Sequence, residues 1–199
     1  MLIFEVIIAL ALAAAFVHFQ LTKRKNYYQT SMLIQHINSS DEMKRTLAMG
    51  LYLRFKKENP DNLPNYSSIY IKQDPFTFES FVANVIQKSR GGSIWVSPGS
   101  GDFGVDFEHT TGQGLFLGQV KCYEGDQPFN PIVLIHSNMI KRGAVGGNVI
   151  TTGSFTSSAY EYAEGLNIEL IDGVKLVELW INGLENAEAE IKHFIPEFI

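Results

Sequence analysis

Disulfide chemistry within the chain is excluded at the outset, because there is one cysteine, Cys122. Such usage suits a reducing compartment. Positive charge is scarce as well. Sixteen Lys and Arg stand against 21 Asp and Glu, a formal net charge of −5, which excludes a protein that coats nucleic acid by bulk charge. Charged residues make up only 19% and hydrophobic ones 45%, so the chain is not a disordered one and can build a packed core. It has no internal repeat and no low-complexity tract. At 199 residues it accommodates one domain of ordinary size and an appendage.

What is present begins with an apolar run, "LIFEVIIALALAAAFVHFQL", from Leu2 to Leu21. As a helix it would reach roughly 30 Å, the thickness of a bilayer's hydrocarbon core. No basic residue precedes it, and "TKRK" with Lys23, Arg24 and Lys25 follows directly. That asymmetry predicts a membrane anchor over residues 1–22, an outside amino terminus and a body facing the cytoplasm. A cleaved signal peptide would carry its positive charge first. A buried core helix is the other alternative. Glu5 lies near the outer end, where it can reach the interface or stay protonated.

Residues 23–73 read as a connector with its own helix. Ser39 and Glu42 have the spacing of a capping box, and Leu47, Leu51 and Phe55 recur at helical spacing until Asn59-Pro60. Arg54, Lys56 and Lys57 read as a solvated face, with anionic lipid headgroups as the alternative partner. Charge divides the chain at this point: residues 1–73 carry +4 and residues 74–199 carry −9. Most of the acid excess follows residue 160, so 74–160 is nearly balanced.

The remainder has an α/β rhythm. Phe78, Phe81, Val82, Val85 and Ile86 form a helical stripe ended by Gly91-Gly92. "SIWVS" is a short strand, and "GVDFEH" and "LFLGQVKCY" are two hairpin arms around a polar turn at 109–114. Pro131 opens a helix to about Lys141, "GNVITTG" is a buried strand, and "FTSSAYEYAEG" is a helix. "NIELID" is the last strand, followed by helical "VKLVELWI". Alternating strands and helices predict a mixed sheet with helices against its faces.

The hairpin places Asp106, Gln119 and Lys121 where apolar packing is expected. Alternation sends Gln119 and Lys121 to one face, and Val120 and Cys122 to the other. Antiparallel pairing brings the arm with Asp106 beside the arm with Lys121. From these residues alone, a structural Asp–Lys pair and a functional site stand level.

The ordered string "FxFESFVANVI…GG…SPGSGDFGVDF…GQVKCYE…GGNVITTGSFTSSAYEYAEG…IELIDGVKL" closely resembles Mrr-type restriction endonuclease domains, of the PD-(D/E)-x-K nuclease superfamily. In this branch the acid before the lysine is commonly Gln, matching Gln119-Val120-Lys121, and an acid on the preceding helix matches Glu79. The resemblance implies a restriction-endonuclease-like α/β domain over 74–182, with residues 183–199 left as an acidic helical tail. It also implies a Mg²⁺-dependent DNA endonuclease, with Mn²⁺ able to substitute, acting in restriction or defence against foreign DNA. Asp106 would be the main metal ligand, Glu79 a second ligand, and the Val120 carbonyl a neutral one. Lys121 would orient water or stabilise charge on the phosphate, and Gln119 would complete the catalytic set. Expected partners are DNA, the bilayer, and a second copy in a homodimer, since cutting both strands often needs two active sites. Two other readings compete: a nuclease-fold DNA-binding or scaffold protein without turnover, and an RNA nuclease. Asp102 reads as a turn residue, Cys122 as core, and Thr151 and Thr152 as turn-shaping or phosphate-binding.

Overall fold

The computed structural model describes residues 2–56, 78–98 and 103–184. The chain divides into two units, an N-terminal helical one and an α/β body spanning Ser40–Gly183. In the first, helix α1 runs unbroken from Leu2–Asn38, so the boundary expected after residue 22 falls inside a helix. Residues 4–29 of α1 are all exposed. The helix is long and apolar enough to cross a membrane, and its apolar window is 0% buried among the described residues.

The body begins with α2 (Asp41–Phe55). Its cap is Ser40, not the expected Ser39, and the Ser40 side chain accepts from Met43 N–H. Although expected in a separate connector, α2 belongs to the body. Lys44 is buried and bonds Glu178 Oε1 at 2.7 Å, near the far end of the chain, as well as Asp41 at 2.8 Å. The expected stop at Asn59-Pro60 lies outside the described residues, as do Asp102 and the acidic tail beyond residue 184.

Helix α3 (Phe78–Arg90) is followed by strands β1 (Ser93–Val96), β2 (Phe107–Thr111) and β3 (Gly114–Lys121). Then come β4 (Asp126–Gln127), α4 (Asn130–Arg142), β5 (Gly146–Thr151), β6 (Ser154–Phe155), α5 (Ser157–Ala163), β7 (Ile168–Ile171) and α6 (Gly173–Asn182). Five strands form a mixed sheet in the order β1-β2-β3-β5-β7. The first three are antiparallel, and β3, β5 and β7 are parallel. This is the α/β architecture expected. The hairpin turn is shorter than 109–114. His109, Thr110 and Thr111 remain in β2, leaving Gly112 and Gln113 as the turn, because His109 is buried and its Nε2 sits 2.7 Å from the Gly91 carbonyl.

Alternation along β3 and β5 sorts the two faces. Leu117 and Val149 pack with Ile132, Ile135 and Met139 of α4. Asn148, one position along from Val149, instead bonds Arg90 of α3, so α3 covers the opposite face. There Val82, Ile86, Leu176, Val177 and Ile181 are fully buried, and Phe81 meets Trp180 edge-on at 5.7 Å. Each such aliphatic side chain contributes about 1.5–3 kcal/mol through burial. A packed helix layer on each face leaves the ends of the central strands as the place for polar chemistry.

Candidate active site

The open end of the β2–β3 hairpin departs from a regular ladder. Phe107 pairs with Gly118, yet the Asp106 N–H also donates to the Gly118 carbonyl at 2.8 Å. Two consecutive residues on one strand therefore oppose a single residue on the other, the pattern of a β-bulge, which bends a strand and re-aims a side chain. Gly118 makes this possible, since an added Cβ would lie 2.1 Å from the Phe107 ring. On the other side, Ser97 N–H donates to the Asp106 carbonyl at 2.9 Å, and Ser97 Oγ donates to the Val105 carbonyl at 2.7 Å. Both neighbouring strands thus fix the Asp106 backbone.

The displaced ladder contact is replaced by the side chain. Val120 N–H donates to Asp106 Oδ2 at 2.6 Å, a short bond of the charge-assisted kind. In a strand the N–H and C=O of one residue face the same neighbour, so the Val120 carbonyl opens on the Asp106 side. The Lys121 carbonyl faces the other way and accepts from Thr152 N–H at 3.3 Å. Asp106 and Lys121 therefore sit at the same end of the hairpin, as the sequence implied.

Gln119 is 1% exposed, and its Oε1 has no hydrogen-bond partner among the described residues. It lies on the α4 side, since an added Cβ on Gly104 would fall 2.9 Å from Gln119 Nε2 and 3.3 Å from Leu134. Glu79, at the first turn of α3, lies elsewhere. With Val120, Lys121 and Cys122 it lines a groove of about 790 Å³ to which Tyr52, Phe55 and Lys56 at the end of α2 also contribute. The structure thus gathers Glu79, Val120 and Lys121 in one groove and ties Asp106 to Val120. It places Gln119 away from the groove lining.

Cys122 is half-buried beside this groove, not in the core. Its Sγ contacts the Tyr52 carbonyl at 3.7 Å. Burial pushes the thiol's pKa up; a Thr152 hydrogen bond opposes this and the Glu79 charge adds to it. A thiol held protonated is a poor nucleophile. Thr151 and Thr152 shape the turn: Thr151 Oγ1 accepts from Gly153 N–H, and Thr152 Oγ1 bridges the N–H and carbonyl of Tyr123. Sequence reasoning missed the α2 contribution. Arg54 and Lys56 are half-buried, the Arg54 Nε is fully buried, and Lys56 lines the groove, so neither lies on a freely solvated face.

The oxygen donors here suit a hard divalent cation, which takes carboxylate, amide and carbonyl oxygens and keeps several waters. A buried amide oxygen without a partner fits such a ligand. Among the described residues no three His, Cys, Asp or Glu side chains cluster, so a cation here would rest on few charges and on neutral oxygens.

Residues 71–180, more than half of the chain, match the Mrr catalytic family, described as restriction endonuclease. The chain belongs to the restriction endonuclease family. In the solved DNA modification-dependent restriction endonuclease AspBHI, the likeness has a TM-score of 0.52 at 15% identity, covering 76% of this chain and 39% of that one. A structure of MspJI restriction endonuclease in complex with a 27-mer oligonucleotide aligns at TM-score 0.40 and 18% identity, covering 85% of this chain and 35% of that one. The first shows the shared restriction-endonuclease fold. This chain spans well under half the length of either. No curated protein matches it in sequence.

Proposed function

We propose that this restriction endonuclease is a divalent-metal-dependent DNA phosphodiesterase, tethered to the membrane by α1 with its nuclease body facing the cytoplasm. The observation that carries the reading is the Val120 N–H to Asp106 carboxylate bond at a bulge. It holds an acid at the same hairpin end as a lysine, beside a groove, in a chain of nuclease family.

Asp106, Gln119, the Val120 carbonyl and Glu79 are the oxygen donors that would hold the cation, Mg²⁺ by preference and Mn²⁺ as a substitute. When bound, the cation lowers the pKa of its water and offsets charge on the phosphoryl oxygens. Asp106 keeps its orientation through the Val120 N–H, so the carboxylate needs no reorganisation during reaction. Lys121 stabilises negative charge as the attacking water oxygen bonds to phosphorus and the bridging P–O bond breaks. The products are a phosphate monoester and a hydroxyl. Gln119 supplies no charge, which leaves Asp106 and Glu79 to balance the cation. Tethering would confine cutting to DNA near the membrane and suits a role in defence against entering DNA.

The test incubates the full chain in detergent with plasmid DNA, with Mg²⁺, with Mn²⁺ and with chelator. The expected outcome is cleavage that needs the metal and falls by about 10²–10³-fold in Lys121→Ala. Metal-dependent cutting of RNA but not DNA, or cleavage undiminished in Lys121→Ala, would overturn the reading.

A further inference from the structure

The groove holding Glu79 and Lys121 has a wall that the matched family segment does not include. That wall is the last turn of α2, residues Tyr52, Phe55 and Lys56, which precede residue 71. Several contacts fasten this turn to the body. Phe55 packs on Phe78 and Phe81, each at 5.3 Å between ring centroids. Tyr52 Oη donates to Glu124 Oε2 at 3.3 Å, and the Tyr52 carbonyl meets Cys122 Sγ, one residue past Lys121. At the helix start, buried Lys44 is paired with Glu178 of α6. A connector that only linked two units would need none of these.

Lys56 is the C-cap of α2. Its N–H closes on the Tyr52 carbonyl at 2.8 Å, and its backbone leaves the helix there. Its Nζ lies 6.0 Å from the ring centroid of Tyr52, which lines the same groove. Two lysines, Lys56 and Lys121, line this groove. A nucleic-acid strand presents a row of evenly spaced anions, and a cation beyond the reacting phosphate positions the strand without reading sequence.

We propose that Lys56 is a DNA-binding residue that contacts a backbone phosphate next to the one being cut, making α2 part of the substrate site. The inference rests on the nuclease reading above. Lys56 touches the strand in ground state and transition state alike, so its loss weakens binding and leaves kcat in place.

The experiment measures binding of a short DNA duplex to the full chain in detergent, with Ca²⁺ in place of Mg²⁺, across a salt series. Cleavage kinetics in Mg²⁺ are measured alongside. Lys56→Ala is expected to weaken binding evenly across sequences, to lower the slope of log K against log salt by about 1, and to raise KM at unchanged kcat. Lys56→Arg is expected to restore the slope. A second readout uses the wild type: Cys122, the only cysteine, lines the same groove, so saturating duplex should slow its labelling by a maleimide. If wild type cuts DNA while Lys56→Ala keeps the wild-type slope, or duplex leaves Cys122 labelling unchanged, this inference is overturned and the nuclease reading survives. If wild type neither binds nor cuts with Mg²⁺ or Mn²⁺, the nuclease reading itself fails.

Discussion

The two ends of the β2–β3 hairpin share the same pair of strands and differ in what satisfies the backbone. At the turn end the register is unbroken from Phe107 to Thr111, and a two-residue turn is closed by Gln113 N–H donating to Thr111 Oγ1. At the open end a bulge interrupts the ladder, and a carboxylate stands where a strand carbonyl would have accepted the Val120 N–H. Regular pairing stabilises a sheet but leaves no polar group with spare capacity. The broken end keeps a carboxylate with several lone pairs bonded to Val120, with the buried Gln119 amide on the adjacent residue. On the proposed reading, the chemistry is located where the ladder fails.

The contrast can be pushed hardest at Gln119. Gln119→Met removes the unpartnered buried oxygen, so the metal-free protein should be as stable as wild type or more so. Cleavage should fall by about 10²-fold, equivalent to about 2.7 kcal/mol. Thermal melts in chelator and plasmid cleavage in Mg²⁺ read the two effects separately. A variant that is destabilised yet cuts normally would make Gln119 a structural residue only.

A smaller effect separates the two ends through glycine. Gly118→Ala drives a Cβ into the Phe107 ring beneath the bulge, and should cost about 1–3 kcal/mol while reducing cleavage. Gly112→Ala at the turn meets nothing within 4 Å and should stay within about 0.5 kcal/mol of wild type. Urea melts compare them, and equal losses would remove the distinction.

The smallest effect lies beside the turn end, where Arg90 shares a groove with His109 and Thr111. Glu169 holds Arg90 at 2.7 Å and Lys175 at 2.6 Å. Burial pushes the Glu169 carboxyl up, but bonds to Lys175 and Arg90 more than offset this and hold its pKa below the ordinary glutamate value. A depressed carboxylate contributes stability above its unfolded value, and that stability is lost as pH falls through the folded value. Half-exposed pairs are worth about 1 kcal/mol or less. Wild type should exceed Glu169→Gln by that margin at neutral pH and converge with it as the pH falls through the folded value, with cleavage unchanged. A gap that widens in acid would reverse the sign.

Much of the fold was legible because it is local. The Phe78–Ile86 stripe, Pro131 at a helix start and the apolar strands each declare themselves within a few residues. The candidates Asp106, Gln119 and Lys121 stand out from structural pairs only through an ordered family pattern. What escaped depends on contacts between distant segments. The bulge exists only in the pairing of β2 with β3, and α2 joins the body through Lys44 and Glu178 and through Tyr52 and Glu124. Helical periodicity in α2 looks the same whether the helix is a linker or a wall. Strand parity assigns Cys122 to the core and cannot reveal that β3 ends at Lys121 and that Cys122 lines the same groove as Lys121.

The most direct test is Asp106→Asn in the full chain. The amide oxygen can still accept from Val120 N–H, so the bulge and the fold are retained while one negative charge is removed. Circular dichroism and melting should match wild type, and Mg²⁺-dependent cleavage of plasmid DNA should be lost. An Asp106→Asn protein that is folded and cuts at the wild-type rate would contradict the assignment of this hairpin end as the catalytic centre.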